Sequence, residues 1–254
     1  ALRLKGALDR DALLRSFTDL QARHATLRTT FSQDGQQARA VQHASLPLAL
    51  RELSLNAPTA AEIDARVSHE MAQPFDLRNG PLLRVLLLAV GTDEHVLVLT
   101  VHHIAADGWS MQVMVDEFSA LYAAHVQGQP ARLPALTVSY ADYAAWQHDW
   151  LHAGEGERQL QAWREKLGSQ HSPLELPSEL TRPATRSEQG TRLELSIDRE
   201  LATGLRQLAQ QHNVTLFMLL LASFQSLLHR YSGQSKINVG VPTAGRGHLE
   251  TEGL

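Results

Sequence analysis

Two adjacent histidines, followed closely by an aspartate and a glycine, are the strongest candidates for chemistry in this sequence. They are His102, His103, Asp107 and Gly108. An imidazole that is neutral near pH 7 can accept a proton or hold a nucleophile by a hydrogen bond. The Asp107 carboxylate could orient one of the rings, or pair with an arginine from elsewhere in the chain. The cluster therefore has the residue types of an acid–base site.

The sequence around this cluster predicts a strand-to-helix junction. Residues 96–101 form an apolar run typical of a buried strand, and residues 111–122 carry apolar side chains at helical spacing. Successive side chains on a strand point to opposite faces, so one of His102 and His103 is expected to face an open cavity while the other packs. Gly108 permits backbone angles closed to other residues and lets a substrate approach closely.

The spacing alone leaves other interpretations open. The two histidines could simply be packed or exposed, and together with Asp107 they could supply three metal ligands, although neighbouring strand residues converge poorly on one ion. Residues 108–112 begin as Gly-x-Ser-x, the start of a nucleophile elbow around Ser110. That motif lacks its closing glycine here, and its histidine precedes the serine. Residues 240–247 approach a phosphate-binding loop but lack its lysine and hydroxyl.

Residues 102–108 read His-His-Ile-Ala-Ala-Asp-Gly, which resembles the His-His-x-x-x-Asp-Gly signature of condensation domains in nonribosomal peptide synthetases. Chloramphenicol-acetyltransferase-like acyltransferases share this signature. Further similar segments occur in the family's order at residues 23–31, 74–84, 140–146 and 240–246, with Ala25 where the family usually has glutamate. The likeness extends over essentially the whole chain. With its glycine after the aspartate, the sequence resembles an ordinary condensation domain more than an epimerisation domain.

The resemblance implies a role for each residue of the cluster. His103 is expected beside the attacking amine, as a base or as a hydrogen-bond anchor, and the Gly108 N–H is expected to help stabilise the oxyanion. His102, Asp107, Arg28 and Trp109 are expected to support the site. In the family, an arginine of the segment that corresponds to residues 23–31 pairs with the signature aspartate. We therefore expect Arg28 to form an ion pair with Asp107.

The function implied by the resemblance is peptide-bond formation. A donor aminoacyl or peptidyl group would pass from one phosphopantetheinyl carrier domain to the α-amine of an acceptor on another. The expected partners are donor and acceptor peptidyl carrier domains and a neighbouring adenylation domain in the same megaenzyme. No metal and no cofactor bound by the domain itself is expected. The alternatives are a stand-alone acyltransferase that uses coenzyme A or a carrier, and a non-catalytic domain that docks carriers.

The fold class implied is α/β, of the α+β sandwich type: a chloramphenicol-acetyltransferase-like lobe whose mixed sheet is flanked by helices, with part of a second similar lobe. Residues 1–170 are expected to form the N-terminal lobe, residues 171–190 a crossover, and residues 191–254 the beginning of the C-terminal lobe. A substrate tunnel runs between the two lobes in the family. The sequence ends before the rest of the second lobe, so this chain alone is expected to be inactive.

Composition narrows the remaining classes of function. The 254 residues carry a net charge of −4 and 43% hydrophobic residues, which suits a globular domain, and no basic tract indicates a nucleic-acid partner. The absence of cysteine removes disulfides and a thiolate nucleophile, and is compatible with the cytoplasm. No apolar run approaches the ~20 residues that span a bilayer. Besides the two strands beside the cluster, at 82–90 and 96–101, strands are predicted near residues 2–5, 27–31, 38–42, 193–197 and 237–241.

Overall fold

The structure is a computed structural model that describes residues 1–34, 37–169, 173–177, 185, 190 and 193–254. These residues form two compact units, one of residues 1–157 and 244–254, the other of residues 158–243. Residues 244–254, which the sequence assigned to the second lobe, thus belong to the first unit. Most of the crossover predicted at residues 171–190, and the turn predicted at Gly35, lie outside the described residues.

The first unit is built on a four-stranded mixed sheet with the strand order β1-β6-β5-β4. Its strands are β1 (Leu2–Lys5), β4 (Ala49–Ser54), β5 (Leu83–Gly91) and β6 (Glu94–Val101). The pair β4–β5 is parallel and the other two pairs are antiparallel. The two long apolar strands are central, as their sequences predict, because strands covered on both faces bury nearly every side chain.

A separate antiparallel hairpin consists of β2 (Thr29–Asp34) and β3 (Gln37–Gln42). A short 3-10 helix, Ala25–Arg28, leads into it. Its register places Thr29 opposite Gln42 and Phe31 opposite Ala40. These four residues lie on one face of the hairpin, because side chains two positions apart on a strand point the same way.

Helices of the first unit begin at side-chain caps that the sequence supplies locally. They are α1 (Arg10–Arg23), α2 (Ala60–Ala72), α3 (Gly108–Gln127) and α4 (Tyr140–Trp150). Their N-cap side chains are Asp9, Thr59, Asp107 and Ser139, each of which accepts a hydrogen bond from a backbone N–H of the first turn. Such caps satisfy donors that otherwise lack a partner within the helix.

Helices α1 and α3 pack together over one face of the sheet. Phe17 is fully buried, and its ring stacks on Phe118 with centroids 4.5 Å apart. Leu87 and Leu97 of the central strands are at most 1% exposed and pack in the same cluster. Strand β6 therefore delivers the residues that follow it to a rigid edge, and α3 carries the chain away from that edge.

The second unit contains α5 (Gly156–Leu167), which starts at its boundary, α6 (Arg199–Gln211) and α7 (Leu216–Ser232). Asp198 and Thr215 cap α6 and α7. The strands predicted at residues 193–197 and 237–241 are wrong, since both described segments are irregular. Leu193 and Leu195 are 80% and 84% exposed. A strand needs a neighbour for its backbone N–H and C=O groups, and the described part of this unit offers none to either segment.

The predicted fold class is confirmed: the chain has a mixed sheet flanked by helices. Within the part of the chain that the structure describes, none of the helices combines the length and apolar character needed to cross a bilayer.

Candidate active site

The two histidines lie in a tight loop directly after β6, which we call the signature loop (residues 102–107). The His102 N–H donates to the Leu82 carbonyl at 3.0 Å, and the Ala105 N–H donates to the His102 carbonyl at 2.9 Å. The strand ends at Val101, and α3 begins at Gly108. The rings therefore diverge because the chain turns here, and the strand alternation used in the sequence argument does not extend this far.

His102 stabilises the signature loop from within. Its Nδ1 accepts a hydrogen bond from the Ile104 N–H at 3.0 Å. The ring lies edge-on to Phe75, with centroids 5.5 Å apart, in a partly buried position. Because the His102 ring is held by a backbone hydrogen bond and by an aromatic contact, it fixes the loop that carries His103.

His103 has the opposite environment. It is exposed and lines a cavity of about 100 Å³, together with Asp107, Tyr140, Arg246 and the chain end at Leu254. All of these residues belong to the first unit. The ring is therefore accessible to a molecule that enters this cavity, which a base or hydrogen-bond anchor requires.

Asp107 closes the loop and caps α3. Its Oδ1 accepts from the Ser110 N–H and from the Ser110 hydroxyl, both at 2.8 Å. Partial burial raises the pKa of the Asp107 carboxyl, but the hydrogen bonds from Ser110 and the Arg246 guanidinium outweigh it, and the resulting pKa is about 2. The carboxylate is therefore ionised at neutral pH and acts as a fixed negative charge.

The arginine that pairs with Asp107 is Arg246, so the predicted pairing with Arg28 is wrong. Arg246 Nη1 lies 3.1 Å from Oδ1 and 3.2 Å from Oδ2 of Asp107. Arg28 instead donates to the His43 carbonyl just beyond β3, and its Nε has no hydrogen-bond partner among the described residues. Arg28 is the last residue of the 3-10 helix that leads into the hairpin. Its hydrogen bond to His43 engages the guanidinium there, and not at Asp107.

Arg246 also holds the segment 244–254 against α3. Its Nη2 donates to the Ser110 hydroxyl at 2.9 Å and to the Leu254 carbonyl at 2.7 Å. Trp109 adds a second link, since its Nε1–H donates to the Glu252 carbonyl at 2.9 Å. The similarity of residues 240–246 to a family segment was the only sequence signal for this role, and spacing could not reveal it.

Gly108 does not use the backbone conformations that only glycine adopts readily. It has no positive φ, and a Cβ added there would meet nothing within 4 Å. It is the first residue of α3, where backbone N–H groups lack acceptors inside the helix. The position therefore offers a backbone N–H without an acceptor inside the helix, and a side chain there would enter open space.

A buried charged cluster behind the site escaped the sequence argument altogether. Glu117 of α3 accepts from Arg23 Nε at 2.9 Å, and its other oxygen lies 2.6 Å from His24 Nε2. Glu117 and His24 are both buried. Residues 23 and 24 belong to a segment that the resemblance singled out, but nothing local in the sequence pairs them with Glu117. The cluster ties the end of α1 to the middle of α3.

The alternative chemistries find little support in the geometry. The described residues contain no group of three histidine, cysteine or acidic side chains arranged to hold a metal ion. The Ser110 hydroxyl is engaged with Asp107 and Arg246, which does not suit a nucleophile poised beside His103. Arg246 is likewise committed within the protein, and this argues against a phosphate loop at residues 240–247.

Comparison with known families decides what kind of domain carries this site. The family model described as Condensation domain matches residues 1–254. The chain belongs to the condensation-domain family. The domain is 43% identical over 258 residues to a linear gramicidin synthase of Brevibacillus parabrevis, covering 100% of this chain and 3% of that protein. It is 44% identical over 255 residues to chondramide synthase cmdD of Chondromyces crocatus, covering 99% of this chain and 6% of that protein.

Solved structures support the same family. The complex of the X-domain and OxyB from teicoplanin biosynthesis matches with a TM-score of 0.78 and 33% identity, over 91% of this chain and 51% of that chain. This condensation-family chain thus spans about half of a solved relative and a small part of the curated relatives it matches.

Proposed function

We propose that this condensation domain forms peptide bonds in nonribosomal peptide synthesis. The α-amine of an acceptor aminoacyl group attacks the thioester carbonyl of a donor aminoacyl or peptidyl group. A C–N bond forms, the C–S bond breaks, and the lengthened chain remains on the acceptor's arm. Both substrates are carried on phosphopantetheine arms of partner carrier domains, and the domain itself needs no bound cofactor.

The observation that carries this proposal is the exposed imidazole of His103 in a cavity whose shape is held by charged and aromatic neighbours. An α-amine has a pKa of about 8, so a useful fraction is neutral at cellular pH. His103 anchors this amine or accepts its proton, which finally reaches the departing thiolate. The thioester is already activated, so no covalent enzyme intermediate is needed, in agreement with a sequence that has no cysteine.

The other residues of the site hold the signature loop and the reacting groups in position. His102 holds the signature loop, and Asp107 with Arg246 fixes its far end. In this proposal the Gly108 N–H donates to the developing oxyanion. Holding both substrates at the reacting distance can lower the barrier by roughly 7–11 kcal/mol, so positioning accounts for much of the proposed catalysis.

The organisation of the whole protein follows from the same proposal. In this proposal residues 1–170 belong to the N-terminal lobe and residues 191–254 begin the C-terminal lobe, of which residues 244–254 pack with the first unit. Donor and acceptor carrier domains are partners of the domain, and an adenylation domain is a neighbour in the same cytoplasmic megaenzyme. The 254-residue chain alone is expected to be inactive. The size of the curated relatives supports this arrangement.

A test uses the full-length natural protein with aminoacylated donor and acceptor carrier domains. Replacing His103 by alanine is expected to lower the rate of amide formation by roughly 10²–10⁴-fold, the range for loss of a general base. His69→Ala is a matched control, because His69 is exposed on α2 outside the His103 cavity. A folded His103→Ala protein that forms amide at the wild-type rate rejects the proposal.

A further inference from the structure

A second cavity, of about 300 Å³, opens beside the site and is bounded by four elements of the first unit: the 3-10 helix, the hairpin, the signature loop and α4. One wall is the hairpin face formed by Thr29, Phe31, Ala40 and Gln42. The register explains why these residues share a wall, since Thr29 is opposite Gln42 and Phe31 is opposite Ala40. We call this cavity the hairpin groove.

The facing wall is one side of α4. Tyr140, Ala141 and Ala144 line it, at the spacing that places residues on one helix face. Two of these three residues are alanines, and the hairpin contributes a third in Ala40. The groove exists because these side chains are small, and a larger residue at position 144 would extend into it.

The hairpin groove adjoins the cavity of His103. Thr26, Ile104 and Tyr140 line both of them. Ile104 directly follows His103 in the signature loop, so the loop that presents the imidazole also forms part of the groove. A molecule that reacts beside His103 can therefore reach the groove with a side chain.

The lining selects the chemistry of that group. The side chains that line the hairpin groove are alanine, threonine, phenylalanine, glutamine, isoleucine and tyrosine, none of which is charged at neutral pH. A neighbouring cavity of about 350 Å³ differs, because Arg23, Arg28 and Asp142 line it. An apolar group gains by leaving water in the hairpin groove, whereas a charged group would lose its hydration without gaining a partner.

From this geometry we propose that the hairpin groove receives the apolar side chain of an aminoacyl group undergoing transfer, and that its depth sets the size of side chain accepted. The proposal rests on the peptide-bond-forming function proposed above. Both substrates present such a side chain on an α-carbon. In the donor this carbon is attached to the reacting carbonyl, and in the acceptor it carries the reacting amine. The chemistry is the same for both, and the experiment separates them.

The experiment measures amide formation in competition, using the full-length natural protein and loaded carrier domains. In one arm the acceptor is constant and donors with alanine or phenylalanine side chains compete, and in the other arm the roles are exchanged. Ala144→Leu fills the groove and is expected to lower the phenylalanine-to-alanine product ratio at least about tenfold in one arm, since pocket discrimination of a few methylenes reaches that size. The arm that responds identifies the substrate.

Two further variants make the result decisive. Ala145→Leu adds the same atoms one residue further along α4, outside the groove, and is expected to leave both ratios unchanged. Phe31→Ala enlarges the groove and is expected to shift the ratio in the opposite direction from Ala144→Leu. Wild-type amide formation with unchanged ratios for Ala144→Leu and Phe31→Ala overturns the groove assignment alone. A wild-type protein that joins no pair of substrates overturns the proposed function, and the groove's role with it.

Discussion

Arg246 and Asp107 are 139 positions apart in the sequence, yet the guanidinium Nη1 lies within 3.2 Å of both carboxylate oxygens. The Arg246 side chain is 11% exposed and the Asp107 side chain 37%. The pair joins the end of the signature loop to the segment 244–254. Together with the hydrogen bonds from Ser110, Arg246 also lowers the pKa of the Asp107 carboxyl.

Replacing Arg246 by alanine is expected to destabilise the first unit by about 1 kcal/mol, because the pair is partly exposed and water screens it. The variant also removes donors to Ser110 and to the Leu254 carbonyl, so the segment 244–254 should exchange its amide hydrogens faster. Thermal unfolding and hydrogen exchange measure the two effects. Arg15→Ala is the control, because Arg15 is exposed on α1, and it should change neither quantity. Equal exchange in both variants would contradict the linking role of Arg246.

The stability contributed by the Asp107 carboxylate should depend on pH. Its pKa is lowered from 3.8 to about 2, so folding favours the ionised form, and this contribution is complete above the unfolded value and lost as pH falls through the folded value. Asp107→Asn removes the titration. The difference in free energy of unfolding between wild type and variant should be constant above pH ~5 and shrink between pH ~4 and ~2. Urea unfolding across this range measures it, and a difference that stays constant down to pH ~2 would show that the pKa is not depressed.

Loss of the Glu117 carboxylate should destabilise the protein strongly. Its side chain is 10% exposed, and it is the carboxylate partner of Arg23 and His24. Removing one member of a buried ion pair leaves the other charge uncompensated, so Glu117→Ala is expected to lower the free energy of unfolding by about 3 kcal/mol or more. Urea unfolding measures the change.

Asp116→Ala is the matched control on the same helix. Asp116 is exposed and bonded only locally, to Gln112 at 2.9 Å, so its removal should change stability by about 0.5 kcal/mol or less. Similar losses in the two variants would mean that helix α3, and not the buried ion pair, accounts for the effect.

The local parts of the fold and site were predictable from the sequence. The apolar runs at residues 82–90 and 96–101 gave the two central strands. The closely spaced histidines and aspartate identified the signature loop. These features depend on neighbours within a few residues, which a single sequence contains in full.

Pairings between distant residues were not predictable. Strand β4 was missed, because its Ala-Leu-Arg-Glu-Leu-Ser sequence shows little alternation and it becomes a strand only by pairing with β5. The segment 193–197 alternates well but is irregular, because alternation supplies side chains and not a neighbouring strand. Local pattern and long-range hydrogen bonding are independent requirements, and a sequence displays only the first.

The sequence by itself determined which residues have the chemistry, namely His103 with the loop and helix that present it. Only the tertiary structure decided that Asp107 pairs with Arg246 in place of Arg28, and that Phe31, Ala144 and Ile104 enclose one groove. The reason is physical: residue type and local spacing fix what a side chain can do. The contacts that orient it come from segments brought together only when the chain has closed around its core.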